Sequence, residues 1–252
     1  VVSWFHAATA WWPLAILPFL LLSLALRRVD IAAVCGLTVL GWLWFDRPPL
    51  GADTPGAGPR VRLVSGNQLM VNAHLDTWLD EVLAAEPDVL VVQELTPDLT
   101  ARLAGRFPHA IERPQWHSFG GGIYSRFPIV GQRVLQVGGV EVIQATLGTE
   151  PALTVWNVHT LPPFTAENHR DWLVQTEAIA QLAAREQGPL VIAGDFNLTR
   201  HHQGYRSLTS AVDDAYRRCG RWVAWTWPNP GLFPLPFPPI KLDHVFVRGP
   251  LQ

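Results

Sequence analysis

Leu190-Val191-Ile192-Ala193-Gly194-Asp195-Phe196-Asn197 reads as a β-strand that runs straight into a polar end. Its four leading residues are apolar with no alternation, the pattern of a strand covered on both faces. Gly194 frees the backbone, and Asp195 and Asn197 then arrive where a rigid strand meets solvent. Other stretches of the chain have the same form. Asp88–Gln93 runs out into Glu94, and Leu153–His159 delivers His159. Leu242–Val247 carries Asp243-His244, and an opening strand at Val61–Ser65 leads to Gly66-Asn67. Binding and catalytic groups gather at such strand ends, where a stiff scaffold presents them.

Helical spacing fills the gaps between these strands. Leu75, Trp78, Leu79, Val82 and Leu83 share one helix face, and Pro87 closes that segment. Pro97–Phe107 and Thr165–Arg185 read as two more helices. Gly122–Ser125, Ile129–Val137 and Val140–Leu147 read as further strands with glycine turns between them. The expectation is a mixed α/β (α+β) sandwich with sheets inside and helices outside.

The residues before this domain differ in kind. Trp4–Leu26 contains no Asp, Glu, Lys or Arg, and Ile31–Phe45 is a second apolar run. Trp4, Trp11, Trp12, Trp42 and Trp44 put five of the 12 tryptophans here, several near the ends of the runs. A signal peptide or a buried core helix are the rival readings, but tandem runs joined by Arg27-Arg28 fit them poorly. Residues 1–47 are therefore expected to form a membrane anchor of two transmembrane helices. Residues 48–59, rich in Pro and Gly, read as a linker, and residues 60–252 as a second domain. With Arg27-Arg28 on the cytoplasmic side of the membrane, that domain is expected outside the cytoplasm.

Composition narrows the class. The 252 residues are 48% hydrophobic and 16% charged, with net charge −2. That excludes a disordered chain, and it argues against a protein that grips nucleic acid mainly by charge. Two cysteines exclude a disulfide scaffold and a Cys-based zinc cluster. Glu94 and Asp195 are hard anionic oxygen donors, and Asn67 and Asn197 are neutral ones. This donor set suits Mg²⁺ or Mn²⁺. His159 and Asp243-His244 add groups that hold or move protons near neutral pH. His201-His202 is not a metal pair on this reading, because adjacent side chains diverge. Arg170 reads as a solvated helix-start residue, and Cys35 and Cys219 as inert. The Pro-rich stretch from Asn229 to Ile240, with Leu232, Phe233, Leu235 and Phe237, reads as an extended segment or an apolar lip.

Taken in order, Gln93-Glu94, Gly120-Gly121-Gly122-Ile123-Tyr124-Ser125-Arg126, Asn157-Val158-His159, Gly194-Asp195-Phe196-Asn197, Asp214-Ala215, Thr226-Trp227-Pro228 and Leu242-Asp243-His244 resemble the endonuclease/exonuclease/phosphatase superfamily, the DNase I-like proteins. The resemblance covers about residues 60–252. It implies a four-layer αββα sandwich and hydrolysis of a phosphodiester or phosphomonoester by metal-activated water. It implies Glu94 as principal ligand of Mg²⁺ or Mn²⁺ with Asn67 beside it, and Asp195 orienting or deprotonating the attacking water. Asn197 would hold that water and the phosphate, His159 would bind or protonate a phosphate oxygen, and Asp243 would orient a catalytic histidine. The superfamily's terminal Ser-Asp-His strand has no counterpart up to Gln252, so a chain truncated at the C-terminus is expected. The chain is also similar to the bacterial membrane-anchored branch associated with teicoplanin resistance. That likeness implies a lipid-linked phosphate substrate and the bilayer as a partner. A nuclease with the same site is the alternative, with nucleic acid the less favoured partner. A non-catalytic membrane binding protein of the same fold is the second alternative.

Overall fold

Ten strands and seven helices are seen in the computed structural model, which describes residues 12–46, 60–219, 224–227 and 240–249. The helices are α1 (Trp12–Ala25), α2 (Val29–Asp46), α3 (Leu75–Ala84), α4 (Pro97–Leu103), α5 (Ala166–Arg185), α6 (Gln203–Thr209) and α7 (Ala215–Cys219). The strands are β1 (Leu63–Asn67), β2 (Val89–Gln93), β3 (His109–Arg113), β4 (Gly121–Ser125), β5 (Ile129–Val137), β6 (Val140–Leu147), β7 (Leu153–His159), β8 (Leu190–Asp195), β9 (Asp213–Asp214) and β10 (Asp243–Arg248).

They form two sheets, one in the order β1-β2-β4-β3 and one in the order β5-β6-β7-β8-β10-β9. Alternation along the central strands makes the layers. Val89 and Val91 of β2 meet Ile143, Val155, Val191 and Ala193 of the second sheet in one core between the sheets. Leu90 and Val92 point the other way, against Leu79 of α3 and Leu99 and Leu103 of α4. On the far side, Trp156, Ile192 and Phe246 pack on Trp172 and Ile179 of α5. The result is helix, sheet, sheet, helix, as the resemblance implies. The buried face of α5 follows its amphipathic spacing, and Thr165 caps the helix by accepting a hydrogen bond from the Asn168 N–H at 3.0 Å.

The expectation of two transmembrane helices does not hold for the described residues. No helix among them is long and apolar enough to cross a membrane. The chain turns at Arg27, whose φ is +54°, and Arg28 pairs with Asp30 at 2.9 Å. Helix α2 carries Asp30 at its start and Asp46 at its end. The two helices pack on each other, leaving Phe19, Leu21, Leu37 and Leu40 exposed. Residues 1–11, the linker at 48–59 and most of the Pro-rich stretch at 229–239 lie outside the described residues.

Smaller differences have local causes. Strand β1 runs to Asn67, two residues beyond the expected end, because it stays paired in parallel with β2 as far as Gln93. Helix α4 stops at Leu103, before Gly105 at φ +73°. Strand β3 was not legible. As an edge strand it exposes most of its residues, so His109–Arg113 has no apolar pattern to read.

Candidate active site

Strand pairing assembles the site. Asp195 at the end of β8 lies opposite His159 on parallel β7 and opposite Asp243 on antiparallel β10. Three strands thus place His159, Asp195 and Asp243 in one cross-strand row. From the other sheet, β1 ends at Asn67 directly beside Gln93, and Glu94 follows. Asn67 joins the two sheets' contributions. Its Nδ2 donates to Glu94 Oε1 at 3.0 Å and to Asp195 Oδ2 at 3.1 Å. Asp195 Oδ1 accepts the Asn197 backbone N–H at 2.9 Å. Asn197 Nδ2 in turn donates to the Thr160 carbonyl at 2.9 Å. All six candidate residues, Asn67, Glu94, His159, Asp195, Asn197 and Asp243, therefore meet at one end of the sandwich.

The backbone is strained at two of them. Glu94 has φ +56° and Asn197 has φ +48°, a left-handed region that costs a non-glycine residue about 1 kcal/mol or more. Gly194 has φ +146°, and a Cβ there would fall 1.9 Å from the Val158 carbonyl oxygen. Only glycine lets β7 and β8 approach this closely beside the row.

Electrostatics single out the carboxylates. Asp243 is partly buried, and burial together with the Asp195 charge pushes its carboxyl up to about 7. Its backbone N–H donates to Thr226 Oγ1 at 3.1 Å. His159 Nε2 lies 4.0 Å from Asp195 Oδ2, and the Phe119 ring sits 5.3 Å from the imidazole. The buried Nδ1 of His159 has no hydrogen-bond partner among the described residues. Glu94 is 8% exposed and accepts from Asn67 and, at 2.7 Å, from the Met70 N–H. It has no cationic side-chain partner among the described residues, although a buried carboxylate calls for a counter-charge.

That need is the test for a divalent metal. Among the described residues no group of three or more His, Cys, Asp or Glu side chains forms a metal cage. Glu94 instead offers one carboxylate, and Asn67 an amide whose oxygen accepts the Leu69 N–H at 2.9 Å; a set with so few protein oxygens suits Mg²⁺ or Mn²⁺, which keep most of their water. The donors present fit the ion.

His244 does not belong to this row. It points to the opposite face of β10, where it is 3% exposed. Its Nε2–H donates to the Leu198 carbonyl at 3.0 Å, and its Nδ1 accepts from Lys241 Nζ at 2.8 Å. Burial lowers its proton affinity, so it is a neutral core histidine. His202 is likewise buried and folds back on Thr199 next to α6.

Two supporting groups went unassigned in the sequence. Asn157, on the inner face of β7, donates Nδ2 to the Val92 and Gly122 carbonyls of the first sheet and accepts from Gln93 Nε2 at 2.8 Å. The signal was a lone amide inside the apolar run Leu153–Val158. Thr226 stands in the quoted run Thr226-Trp227-Pro228 but had no role assigned, because that role depends on the Trp227–Ile240 bridge that brings it beside β10.

The sequence matches the Endonuclease/Exonuclease/phosphatase family over residues 67–252. The chain belongs to that family. Members of the Endonuclease/Exonuclease/phosphatase family hydrolyse phosphate esters, and the site described above lies within the matched residues. No curated protein matches the chain. Among solved structures, TDP2 of D. rerio complexed with a single-strand DNA product is similar, with a TM-score of 0.61 and 16% identity over 75% of this chain and 83% of that one. The 3′ phosphatase NExo of Neisseria, bound to a product DNA hairpin, gives 0.58 and 20% over 75% and 86%. Sphingomyelinase C of Streptomyces griseocarneus gives 0.55 and 17% over 77% and 86%. These likenesses establish the DNase I-like fold.

Proposed function

We propose that this family member is a divalent-metal-dependent phosphoesterase that cleaves a phosphodiester or phosphomonoester by water attack at the row of His159, Asp195 and Asp243. The observation that carries this reading is the Asn67 amide, which ties Glu94 of one sheet to Asp195 of the other. Glu94, with Asn67 beside it, would hold a Mg²⁺ or Mn²⁺ ion, which would supply positive charge next to a phosphoryl oxygen. Asp195, fixed by two donors, orients a water and takes its proton as the water oxygen bonds to phosphorus. Asp243 retains a proton near neutral pH and can return one as the ester P–O bond breaks. His159 faces the same space and bonds a phosphate oxygen through Nε2.

A lipid-linked substrate followed from a membrane anchor. With no spanning helix among the described residues, it holds no advantage over a nucleic-acid ester. The DNA held by TDP2 and by the Neisseria 3′ phosphatase supports DNA as one substrate to assay. The test is Mg²⁺-dependent hydrolysis of bis(p-nitrophenyl) phosphate, plasmid DNA, polyprenyl diphosphate and phospholipid in parallel. Asp195→Asn is expected to lower the rate by about 10²-fold or more on whichever is cleaved. An Asp195→Asn protein of full activity overturns the site. A folded wild-type protein that hydrolyses none of the four supports the non-catalytic alternative.

A further inference from the structure

Lys241 precedes Asp243 by two residues, but its side chain joins His244 rather than the catalytic row. Its Nζ lies 2.8 Å from His244 Nδ1, 3.9 Å from Asp214 Oδ2 and 5.4 Å above the Tyr216 ring. His244 and Asp214 are buried and Lys241 is half-buried. Asp214 is itself fixed, accepting the Tyr205 hydroxyl at 2.8 Å and the Tyr216 N–H at 2.9 Å. Burial pushes its carboxyl up, but His244, Lys241 and Tyr205 together outweigh burial, and it falls to about 2. Asp214 is therefore an anion, and it holds the Lys241 amine beside the imidazole.

These contacts decide where the imidazole proton sits. The Leu198 carbonyl can only accept, so the Nε2 that lies 3.0 Å from it carries the proton. A lysine ammonium has donors alone, so at 2.8 Å it needs a bare Nδ1. Both neighbours select the same neutral tautomer. Asp214 favours the other one. Its Oδ2 is 3.6 Å from Nδ1, and it would accept from a protonated Nδ1 once the ring turned toward it. Lys241 thus stands between two competing states of one buried ring. The choice reaches the site through Leu198, which follows Asn197 in the turn after β8. Phe196 anchors the start of that turn: its N–H donates to the Leu242 carbonyl at 3.2 Å, and its own carbonyl accepts from Thr160 Oγ1 at 2.6 Å and Trp172 Nε1 at 2.9 Å. Asn197 sits at φ +48°, and the His244 bond to the Leu198 carbonyl holds the chain as it leaves that strained residue. A ring turned toward Asp214 would draw Nε2 off that carbonyl and loosen Asn197, whose N–H fixes Asp195.

We infer that Lys241 is a positioning residue of the site: by donating to Nδ1 it locks His244 in the tautomer whose Nε2–H grips the Leu198 carbonyl, and so keeps Asn197 and Asp195 in place. Its effect on turnover rests on the phosphoesterase reading; the tautomer lock does not.

Two measurements separate the claims. The first is a long-range ¹H–¹⁵N correlation spectrum of the full chain with ¹⁵N-labelled histidine, His244 being assigned through the stacked Phe246 ring 5.3 Å away. The wild-type protein is expected to show a protonated Nε2 and a bare Nδ1. Lys241→Met is expected to put a proton on Nδ1, and Lys241→Arg, which restores a donor, to return the wild-type pattern. A proton on the wild-type Nδ1, or a bare Nδ1 in Lys241→Met, overturns the lock, and the wild-type spectrum needs no variant to fold. The second measurement is kcat and KM for Mg²⁺-dependent hydrolysis of bis(p-nitrophenyl) phosphate, well below the melting temperature of each variant. Lys241→Met is expected to lose about tenfold in kcat with KM nearly unchanged, and Lys241→Arg to regain most of it. Lys241→Leu serves where Lys241→Met does not fold. Full kcat without the lysine, or an equal loss in Lys241→Arg, overturns the positioning role. Absence of hydrolysis by the wild-type protein defeats the phosphoesterase reading, and the spectrum then decides the tautomer lock alone.

Discussion

Asp243 and Asp195 are two carboxylates at one cross-strand position, and the consequence is a pH dependence with a fixed sign. The folded-state carboxyl of Asp243 sits near 7, above its unfolded value of about 4. The folded state therefore binds the extra proton between those limits, and stability falls as pH rises through them. In chelator, the melting temperature is expected to drop from about pH 4.5 to about pH 7.5, and Asp243→Asn is expected to flatten that drop. A variant that keeps the full drop would place its origin elsewhere. Glu94 carries a matching expectation. Its buried charge lacks a cationic side chain among the described residues, so Mg²⁺ at about a hundredfold over its Kd should stabilise the protein by about 2.7 kcal/mol, several degrees of melting temperature. Glu94→Gln should abolish that shift; a persisting shift would remove Glu94 as the ligand.

At the scale of elements, the β7–β8 pair is the tightest joint in the site. An added Cβ at Gly194 meets the Val158 carbonyl at 1.9 Å, and a left-handed φ adds strain. Gly194→Ala should cost at least about 3 kcal/mol in urea denaturation. A cost below about 1 kcal/mol would mean that the two strands can part without loss. The central strands were legible because burial on both faces writes an unbroken apolar run. The edge strand β3 and the short β9 were not, because their partners, rather than their own composition, make them strands. The opening helices misled for a related reason. Hydropathy reports apolar content, and no helix among the described residues is long and apolar enough to cross a membrane.

For the molecule as a whole, Asn157 is the clamp between the sheets. Truncating it to Ala removes its bonds to the Val92 and Gly122 carbonyls and to the Gln93 amide, and Gln93 Oε1 has no partner among the described residues. The expected loss is about 3–5 kcal/mol, and a double-mutant cycle with Gln93→Leu should show coupling of about 1 kcal/mol or more. Additive losses would show that the two amides act independently. The sequence carried the site's residue types and their order along the chain, since each sits at the end of a readable strand. It did not carry the bridging by Asn67 or the approach of Thr226, since these depend on segments distant in the chain becoming neighbours.

The row of His159, Asp195 and Asp243 also bears on how the protein reaches its working state. Its strands are distant in sequence, and Glu94 comes from the opposite sheet. Local helices and the β5–β6 hairpin can form early, but no partly folded chain holds the reactive groups together. Regained catalysis on refolding is expected to trail the return of secondary structure, because turnover also needs the long-range pairing of β10 beside β8.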